Sequence, residues 1–161
     1  MMRYLIALLA IGGIVVSALA THVHYSTGVQ PCDINSHWDC GIVNHSSFAT
    51  VNGLWWHLRA ERDPALENGP PAPRNGLPVA IIGLVGYAIL VLTSLMKRRW
   101  LTVFLAIGGL GFALYLSSIE AHVLEVWCLY CVISQFIIAA IALLSIIWLF
   151  FRSGRTRTAR A

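Results

Sequence analysis

The sequence predicts an all-α integral membrane protein, a bundle of four transmembrane helices with an external cap between the first two spans. Of the 161 residues, 58% are hydrophobic and only 11% are charged, whereas about a quarter of the residues in soluble domains are charged. Four stretches are apolar over about the 20 residues that a membrane-crossing helix requires. These predicted spans are 4–23, 78–96, 101–119 and 132–151.

The basic residues predict which side of the membrane each loop faces. Lys97, Arg98 and Arg99 lie between the second and third spans, and the tail 152–161 contains four arginines. Cytoplasmic loops carry an excess of Lys and Arg, so both termini are predicted to be cytoplasmic, in agreement with Arg3. The formal charge of +4 therefore reflects topology and indicates no nucleic-acid partner.

The first span has a competing interpretation as a cleaved signal peptide, because Ala18-Leu19-Ala20 matches a signal cleavage site. The apolar core of a signal peptide is about 7–15 residues long. The apolar run here extends from Tyr4 to Ala20, which is longer. A retained span is therefore the prediction, with cleavage as the alternative.

The cap region, 24–77, is the one sizeable polar stretch and is predicted to form an external loop and a short helix. The segment from Cys32 to Cys40 is rich in turn residues, and 44–48 can begin a short helix capped by one of its serines. The Gly- and Pro-rich segment 67–76 is predicted to be an irregular connector to the second span.

A Cys-x-x-Cys motif, Cys128 and Cys131, stands at the start of the fourth span. Residues three apart share a helix face, and the positive end of the helix dipole favours a thiolate. The predicted topology places this pair and the pair Cys32 and Cys40 on the same external side. Redox chemistry at a membrane boundary is the resulting hypothesis.

The two pairs together predict a disulfide relay. An exposed disulfide between Cys32 and Cys40 could be reduced by a soluble thiol protein through thiol exchange. One of these thiols would attack a disulfide between Cys128 and Cys131, which would pass two electrons to a quinone. The alternative is two inert structural disulfides, although a Cys-x-x-Cys loop is too short to constrain much chain.

Two polar residues follow the motif inside the fourth span. Gln135 shares a helix face with Cys128 and Cys131, and Ser134 lies beside it. A glutamine in a membrane is costly without a partner. Gln135 is therefore predicted to hydrogen-bond either a lipid-soluble redox ligand near Cys131 or another helix.

A zinc site is the competing interpretation of the cap. Its ligands would be two cysteines and two histidines in a Cys-x4-His-x2-Cys-x4-His spacing: Cys32, His37, Cys40 and His45. The spacing differs from that of ordinary zinc fingers and leaves the Cys-x-x-Cys motif unexplained. We therefore expect no metal.

This order of motifs resembles the vitamin K epoxide reductase family over nearly the whole chain. The motifs are the four spans, the loop pair Cys32 and Cys40, Ser46-Ser47-Phe48, Asn75-Gly76-Leu77-Pro78-Val79 and Trp127-Cys128-Leu129-Tyr130-Cys131. Bacterial relatives oxidise thioredoxin-like proteins of the DsbA kind and reduce membrane quinone, whereas the animal enzymes reduce vitamin K epoxide and quinone. The resemblance thus implies a quinone of the menaquinone, ubiquinone or vitamin K type.

The resemblance also implies individual roles. Cys131 would face the quinone, and Cys128 would be its partner and the target of a loop thiol, Cys40. Ser46 would support the site, and Asn75 would correspond to the quinone-binding asparagine of the family.

The chain departs from the family pattern in three places. Gln135 replaces a tyrosine of the animal enzymes, 54–74 looks like an insertion, and no thioredoxin-like domain follows the fourth span. The resemblance therefore implies a separate thioredoxin-like partner. The segment Leu77-Pro78-Val79-Ala80 is similar to bacterial members, which implies a bacterial inner-membrane location.

Three other functions compete with this one. Enzymes of the DsbB type also have four spans and two cysteine pairs, but their Cys-x-x-Cys lies in the first external loop, the reverse of the order here. Epoxide reduction in the sense of the animal enzymes is the second. The third is a non-enzymatic membrane scaffold with structural disulfides.

Overall fold

The computed structural model describes residues 1–60, 62 and 71–158, with side chains described up to residue 150. This part of the chain contains six α-helices. They are α1 (Met2–Tyr25), α2 (Cys40–His45), α3 (Val51–Ala60), α4 (Val79–Leu95), α5 (Arg99–Ile119) and α6 (Leu129–Thr158). A 3-10 turn, Ser47–Ala49, precedes α3, and a π-helical turn, Glu120–Leu124, follows α5. The described residues form isolated β-bridges but no sheet, so the all-α class is confirmed.

Three helical segments are long and apolar enough to cross a membrane, namely Met2–Tyr25, Arg99–Leu124 and Leu129–Phe150. The predicted span 78–96 corresponds to α4, an apolar helix of 17 residues that is shorter than the other three. The fourth predicted span, 132–151, begins three residues too late, since α6 starts at Leu129. Residues 159–161 of the predicted tail lie outside the described residues.

The four long helices pack side by side, and their shared core is apolar. Helix α1 contacts α4 and α6, and α5 contacts the same two helices. The buried core residues are Ile6, Ala10, Tyr87, Leu90, Ala106, Ile138, Ile141, Ala142 and Trp148. Large apolar side chains also point outward, such as Phe104 (76% exposed) and Phe136 (72% exposed). An apolar outer surface of this kind is what a lipid environment requires.

Small residues on α1 allow α4 to approach closely. The ring of Tyr87 lies against Gly13, and a Cβ atom at that glycine would overlap the ring. One turn further along α1, the Ser17 side chain lies against Gly83, where an added Cβ would be 3.2 Å from the serine Oγ. Small residues at helix interfaces are a common way for membrane helices to pack.

The contact between Gly13 and Tyr87 predicts a sensitive position. Replacing Gly13 with alanine should force the ring and α4 to shift, and overpacking of this kind costs about 1–3 kcal/mol. The thermal unfolding midpoint of the purified protein in detergent should fall accordingly. Gly108→Ala is the matched control, because nothing lies within 4 Å of a Cβ at that glycine. An equal midpoint in both variants would contradict the packing described.

The short helix of the cap begins earlier than predicted. Helix α2 starts at Cys40, and its cap is Asp39, whose side chain accepts a hydrogen bond from the Ile42 N–H at 2.7 Å. The predicted cap Ser46 occupies the N-cap position of the following 3-10 turn, Ser47–Ala49. Its side chain makes no capping hydrogen bond there, because its hydroxyl donates to the Val43 carbonyl at 2.8 Å. Asp39 has the extended backbone that an N-cap adopts.

The remainder of the cap runs from the 3-10 turn through α3 to the beginning of α4. The Val51 N–H donates to the Leu77 carbonyl at 3.0 Å, which ties the start of α3 to the residue before Pro78. Residues 61 and 63–70 of the predicted insertion 54–74 lie outside the described residues. Of these, 67–70 also belong to the predicted connector 67–76.

Candidate functional site

The two loop cysteines form a disulfide. Cys32 and Cys40 are bonded with a Cα–Cα distance of 5.8 Å. Asp33 fixes this small loop, because its carboxylate accepts hydrogen bonds from the Gln30 N–H at 2.6 Å and the Gly41 N–H at 3.1 Å. Partial desolvation opposes ionisation of Asp33, but these backbone donors outweigh it and lower the pKa of the carboxyl group. The loop is therefore held by an ionised side chain near neutral pH.

The disulfide is buried, contrary to the exposed pair that the sequence predicted. Cys32 is 2% exposed and Cys40 is 0% exposed. The reason is that the loop docks on the residue before the Cys-x-x-Cys motif. The Trp127 N–H donates to the His37 carbonyl at 2.8 Å, and the Asp39 N–H donates to the Trp127 carbonyl at 3.1 Å.

This docking brings three of the four cysteines into one buried cluster. Cys32, Cys40 and Cys128 pack together with Val23 of α1 and Val43 of α2, and Cys131 is packed against the cluster at its edge. Residues far apart in sequence are therefore neighbours here, so that the loop disulfide and the motif share one apolar environment from which water is largely excluded.

The motif itself carries two free thiols in different surroundings. Cys128 is fully buried and immediately precedes α6, while Cys131 lies in the first turn of α6 and is half-buried. A hydrogen bond from the Cys131 thiol lowers the pKa of Cys128, aided by backbone N–H groups at the start of α6, and this outweighs burial and the nearby carboxylate of Glu120. Cys128 is thus the thiol that ionises more readily than usual.

Asn44 is a site residue that sequence reasoning missed. It is 6% exposed, and its amide donates to the Cys128 sulfur at 3.4 Å and to the Cys40 carbonyl at 2.9 Å. It therefore links the loop pair to the motif and places a donor on the Cys128 sulfur. Asn44 follows Cys40 by four residues, so the two share one helix face. The sequence could have indicated this contact only if α2 had been predicted to start at Cys40.

The Asn44 contact predicts a change in thiol reactivity. In reduced Asn44→Ala protein, Cys128 should react about fivefold more slowly with a small methanethiosulfonate at neutral pH, because loss of about 1 kcal/mol of hydrogen bonding disfavours the thiolate. Quenched-flow mass spectrometry measures this rate. Asn52→Ala is the control, since Asn52 is exposed and its amide donates to the Asn75 carbonyl at 3.3 Å, away from the thiols. An unchanged rate at Cys128 would contradict the role of Asn44.

A cavity of about 390 Å³ lies between the helices next to Cys131. Its walls are mostly apolar and come from all four long helices and from the cap. Cys131 lines it, together with Ser46 of the cap and Ser134 of α6. Cys128 is not among the lining residues and faces the loop disulfide instead, so the two thiols of the motif have different neighbours.

The polar residues predicted for ligand binding have different positions. The Tyr87 hydroxyl donates to the Ser134 carbonyl at 2.8 Å and lies 2.9 Å from the Ser134 hydroxyl, at the cavity wall. Gln135 instead accepts a hydrogen bond from Ser117 of α5, the second of its two predicted partners. Asn75 is exposed. Neither Gln135 nor Asn75 is among the residues that line the cavity.

Tyr87 and Ser117 were missed by sequence reasoning. Each is a polar side chain within an apolar segment, and such groups normally find a hydrogen-bonding partner inside a bundle. That signal was available in the sequence, but the identity of the partner was not.

The zinc interpretation of the cap has no support in the geometry. Among the described residues, the metal-ligating side chains that lie close enough to share an ion are Cys32, Asp33 and Cys40, and the two sulfurs are bonded to each other. The predicted ligand His45 has its two ring nitrogens at the carbonyls of Gly41 and Ser26, at 2.8 and 3.1 Å. Zinc binds cysteine as the thiolate, which a disulfide does not offer.

Comparison with known proteins identifies one family. A sequence model of the Vitamin K epoxide reductase family matches residues 4–146. This range contains the four long helices up to the last part of α6, the cap and all four cysteines. No curated protein matches the chain.

Proposed function

Because this chain belongs to the vitamin K epoxide reductase family, a family of membrane oxidoreductases, we propose that it is a quinone-dependent thiol–disulfide oxidoreductase. It takes electrons from a reduced thioredoxin-like protein of the DsbA kind and passes them to the membrane quinone pool, which supports disulfide formation. The observation that carries this proposal is the buried cluster in which the loop disulfide meets Cys128, with Cys131 at the cavity.

The relay proceeds through two thiol–disulfide exchanges, the first with the partner and the second within the chain. A dithiol of the partner reduces the disulfide between Cys32 and Cys40, which becomes two thiols while the partner becomes a disulfide. A loop thiol, Cys40, then attacks Cys128 in the oxidised motif, and the loop disulfide re-forms as Cys128 and Cys131 become thiols. Each exchange moves two electrons and two protons, so that atoms and charge balance.

The burial of the loop disulfide separates these two exchanges. In the docked arrangement, Cys32 and Cys40 are almost completely covered, so the loop faces Cys128 and not a soluble protein. Exchange with the partner therefore requires the loop to release the backbone hydrogen bonds at Trp127. Two such bonds contribute about 1–3 kcal/mol in total, which permits release during each catalytic cycle.

The cavity fits a quinone by size and chemistry. Its volume of about 390 Å³ falls in the range of small-molecule sites, which are mostly apolar with a few polar groups. Cys131, Ser46 and Ser134 would surround the head group, with Tyr87 holding Ser134 in position. When bound, the quinone would supply the two-electron oxidant that returns Cys128 and Cys131 to a disulfide. Binding by Gln135 and Asn75 stays a prediction.

The proposed membrane arrangement has four spans. Helix α4, with 17 residues, is at the short end of the lengths that cross a bilayer, and it packs between α1 and α5. Lys97, Arg98 and Arg99 then face the cytoplasm, and all four cysteines face the opposite, oxidising side. In intact bacteria, a membrane-impermeant thiol reagent should label the reduced protein at Cys32. Labelling only after the cells are opened would contradict this orientation.

Reconstitution tests the activity. The purified protein in lipid vesicles should oxidise a reduced thioredoxin-like protein of the DsbA kind and reduce a short-chain quinone, with one quinol formed per partner disulfide. Loss of quinone absorbance and loss of partner thiols measure the two sides of the reaction. Partner oxidation without quinol formation, or neither reaction, would contradict the proposal.

A further inference from the structure

The carboxyl group of Glu120 is a buried titratable group beside both thiols of the motif. Glu120 is 3% exposed and lines the cavity. Its Oε2 accepts a hydrogen bond from the Cys128 N–H at 3.1 Å, and Cys131 lines the same cavity. A buried carboxyl group is costly unless it has a hydrogen-bonding partner, and the partner of Glu120 is the backbone of the redox motif.

The local backbone fixes this carboxyl group at the motif. Glu120 is the first residue of the π-helical turn Glu120–Leu124, and π turns are frequent at functional sites. Glu125 follows with φ of 55°, a left-handed conformation that is unfavourable for most residues. The chain turns back at Glu125 and continues through Trp127 to Cys128. The side chain of Glu120, eight residues before Cys128, therefore contacts the motif.

We propose that Glu120 is the proton acceptor for the Cys131 thiol, an inference that rests on the proposed function. As the sulfurs of Cys128 and Cys131 join, the proton of Cys131 moves to the Glu120 carboxylate and from there across the cavity to a quinone oxygen. Cys128 releases the second proton to water as it ionises, and the other quinone oxygen takes up a proton from water. The dithiol loses two electrons and two protons, which the quinone gains as it becomes the quinol, and Glu120 returns to its initial state.

Glu120 is the carboxyl group among the described residues that line the cavity. The titratable groups around it at the start of α6 are Cys128, which precedes the helix, and Cys131 and the cavity-lining Tyr130, which belong to it. Helix α4 contributes Tyr87 to the cavity, while the lining residues from α1, α2 and α5 carry no ionisable side chain among those described. A tyrosine hydroxyl is a poor proton acceptor near neutral pH, which leaves the carboxylate for this role.

The test variant is Glu120→Gln, which keeps an oxygen for the Cys128 N–H but cannot accept a proton. Quinone reduction by the reduced protein should slow by about 100-fold or more, the usual contribution of a general base. Alkylation of Cys131 in the quinone-free protein should nevertheless be no slower than in the wild-type protein, because the reacting thiolate loses only a neighbouring negative charge. Slower quinone reduction with undiminished reactivity of Cys131 is the combination that a structural role would not produce.

Glu125→Gln is the matched control, since Glu125 is an exposed carboxylate on the same link and should leave both readouts at the wild-type values. Quinone reduction by Glu120→Gln at the wild-type rate would overturn the inference. Wild-type protein that reduces no quinone would instead contradict the proposed function, so the two failures are distinguishable.

A measurement on the wild-type protein covers the case in which Glu120→Gln does not fold. Single-turnover quinone reduction should be slower in heavy water than in light water, because proton transfer from Cys131 is part of the rate-limiting step. Equal rates in the two solvents would overturn the inference.

Discussion

Cys131→Ala is expected to reduce quinone reduction to background, a complete loss of the proposed activity. Oxidation of the motif requires two thiols, because the two electrons leave as a sulfur–sulfur bond forms between Cys128 and Cys131. Cys131 is also the thiol that lines the cavity, so no other cysteine can replace it at the quinone. The rate of quinone absorbance loss, with a reduced thioredoxin-like protein as donor, measures the effect.

Ser118→Ala is the control for this loss. Ser118 is an exposed residue of α5 whose hydroxyl bonds the Tyr115 carbonyl of its own helix, so this variant should turn over at the wild-type rate. The thermal unfolding midpoints of both variants should stay close to that of the wild-type protein, since each substitution removes a single side-chain atom. Turnover of Cys131→Ala above background would contradict the assignment of Cys131 to the quinone.

Cys40→Ala should separate the two halves of the relay. Turnover with the thioredoxin-like protein should be lost, because the loop can no longer form the disulfide that accepts electrons from the partner. Quinone reduction driven by dithiothreitol should persist, because a small dithiol can reach the motif through the loosened loop. The ratio of the two rates in one preparation is the measurement.

The double variant Cys32→Ala, Cys40→Ala is the control for stability. Loss of a disulfide that closes a loop of this size costs about 2–3 kcal/mol, equally in the single and double variants. The single variant retains a free loop thiol and should accumulate a mixed disulfide with the partner, which the double variant cannot. If both variants keep the fold but lose the dithiothreitol-driven reaction, the claim that Cys128 and Cys131 reduce the quinone without the loop disulfide would be contradicted.

The helices and the pairing of the loop cysteines could be predicted from the sequence because they depend on local pattern. A long apolar run has few alternatives to a helix in a membrane, so α1, α5 and α6 coincide with predicted spans. The eight-residue separation of Cys32 and Cys40 permits a disulfide, which the structure contains. The start of α2 could not be predicted because Asp39 and Ser46 are both good caps, and sequence does not rank them.

The site could be predicted only in part because its contacts are between distant segments. The burial of the loop disulfide depends on two backbone hydrogen bonds at Trp127, and backbone groups leave no signature in a sequence. Gln135 has two plausible partners on sequence grounds, and the choice of Ser117 depends on how α5 and α6 are rotated against each other. Glu120 is one residue of a short polar link in the sequence, and its burial results from the π turn that carries it.

Peptide mapping of Cys131→Ala under non-reducing conditions tests the relay most directly. Without Cys131, the Cys128 thiolate should attack the loop disulfide, forming a bond to Cys40 and releasing Cys32 as a thiol. After acid quenching and alkylation, the account predicts a Cys40–Cys128 cross-linked peptide together with alkylated Cys32. Fully alkylated Cys128 beside an intact disulfide between Cys32 and Cys40 would contradict the claim that electrons pass from the loop to the motif.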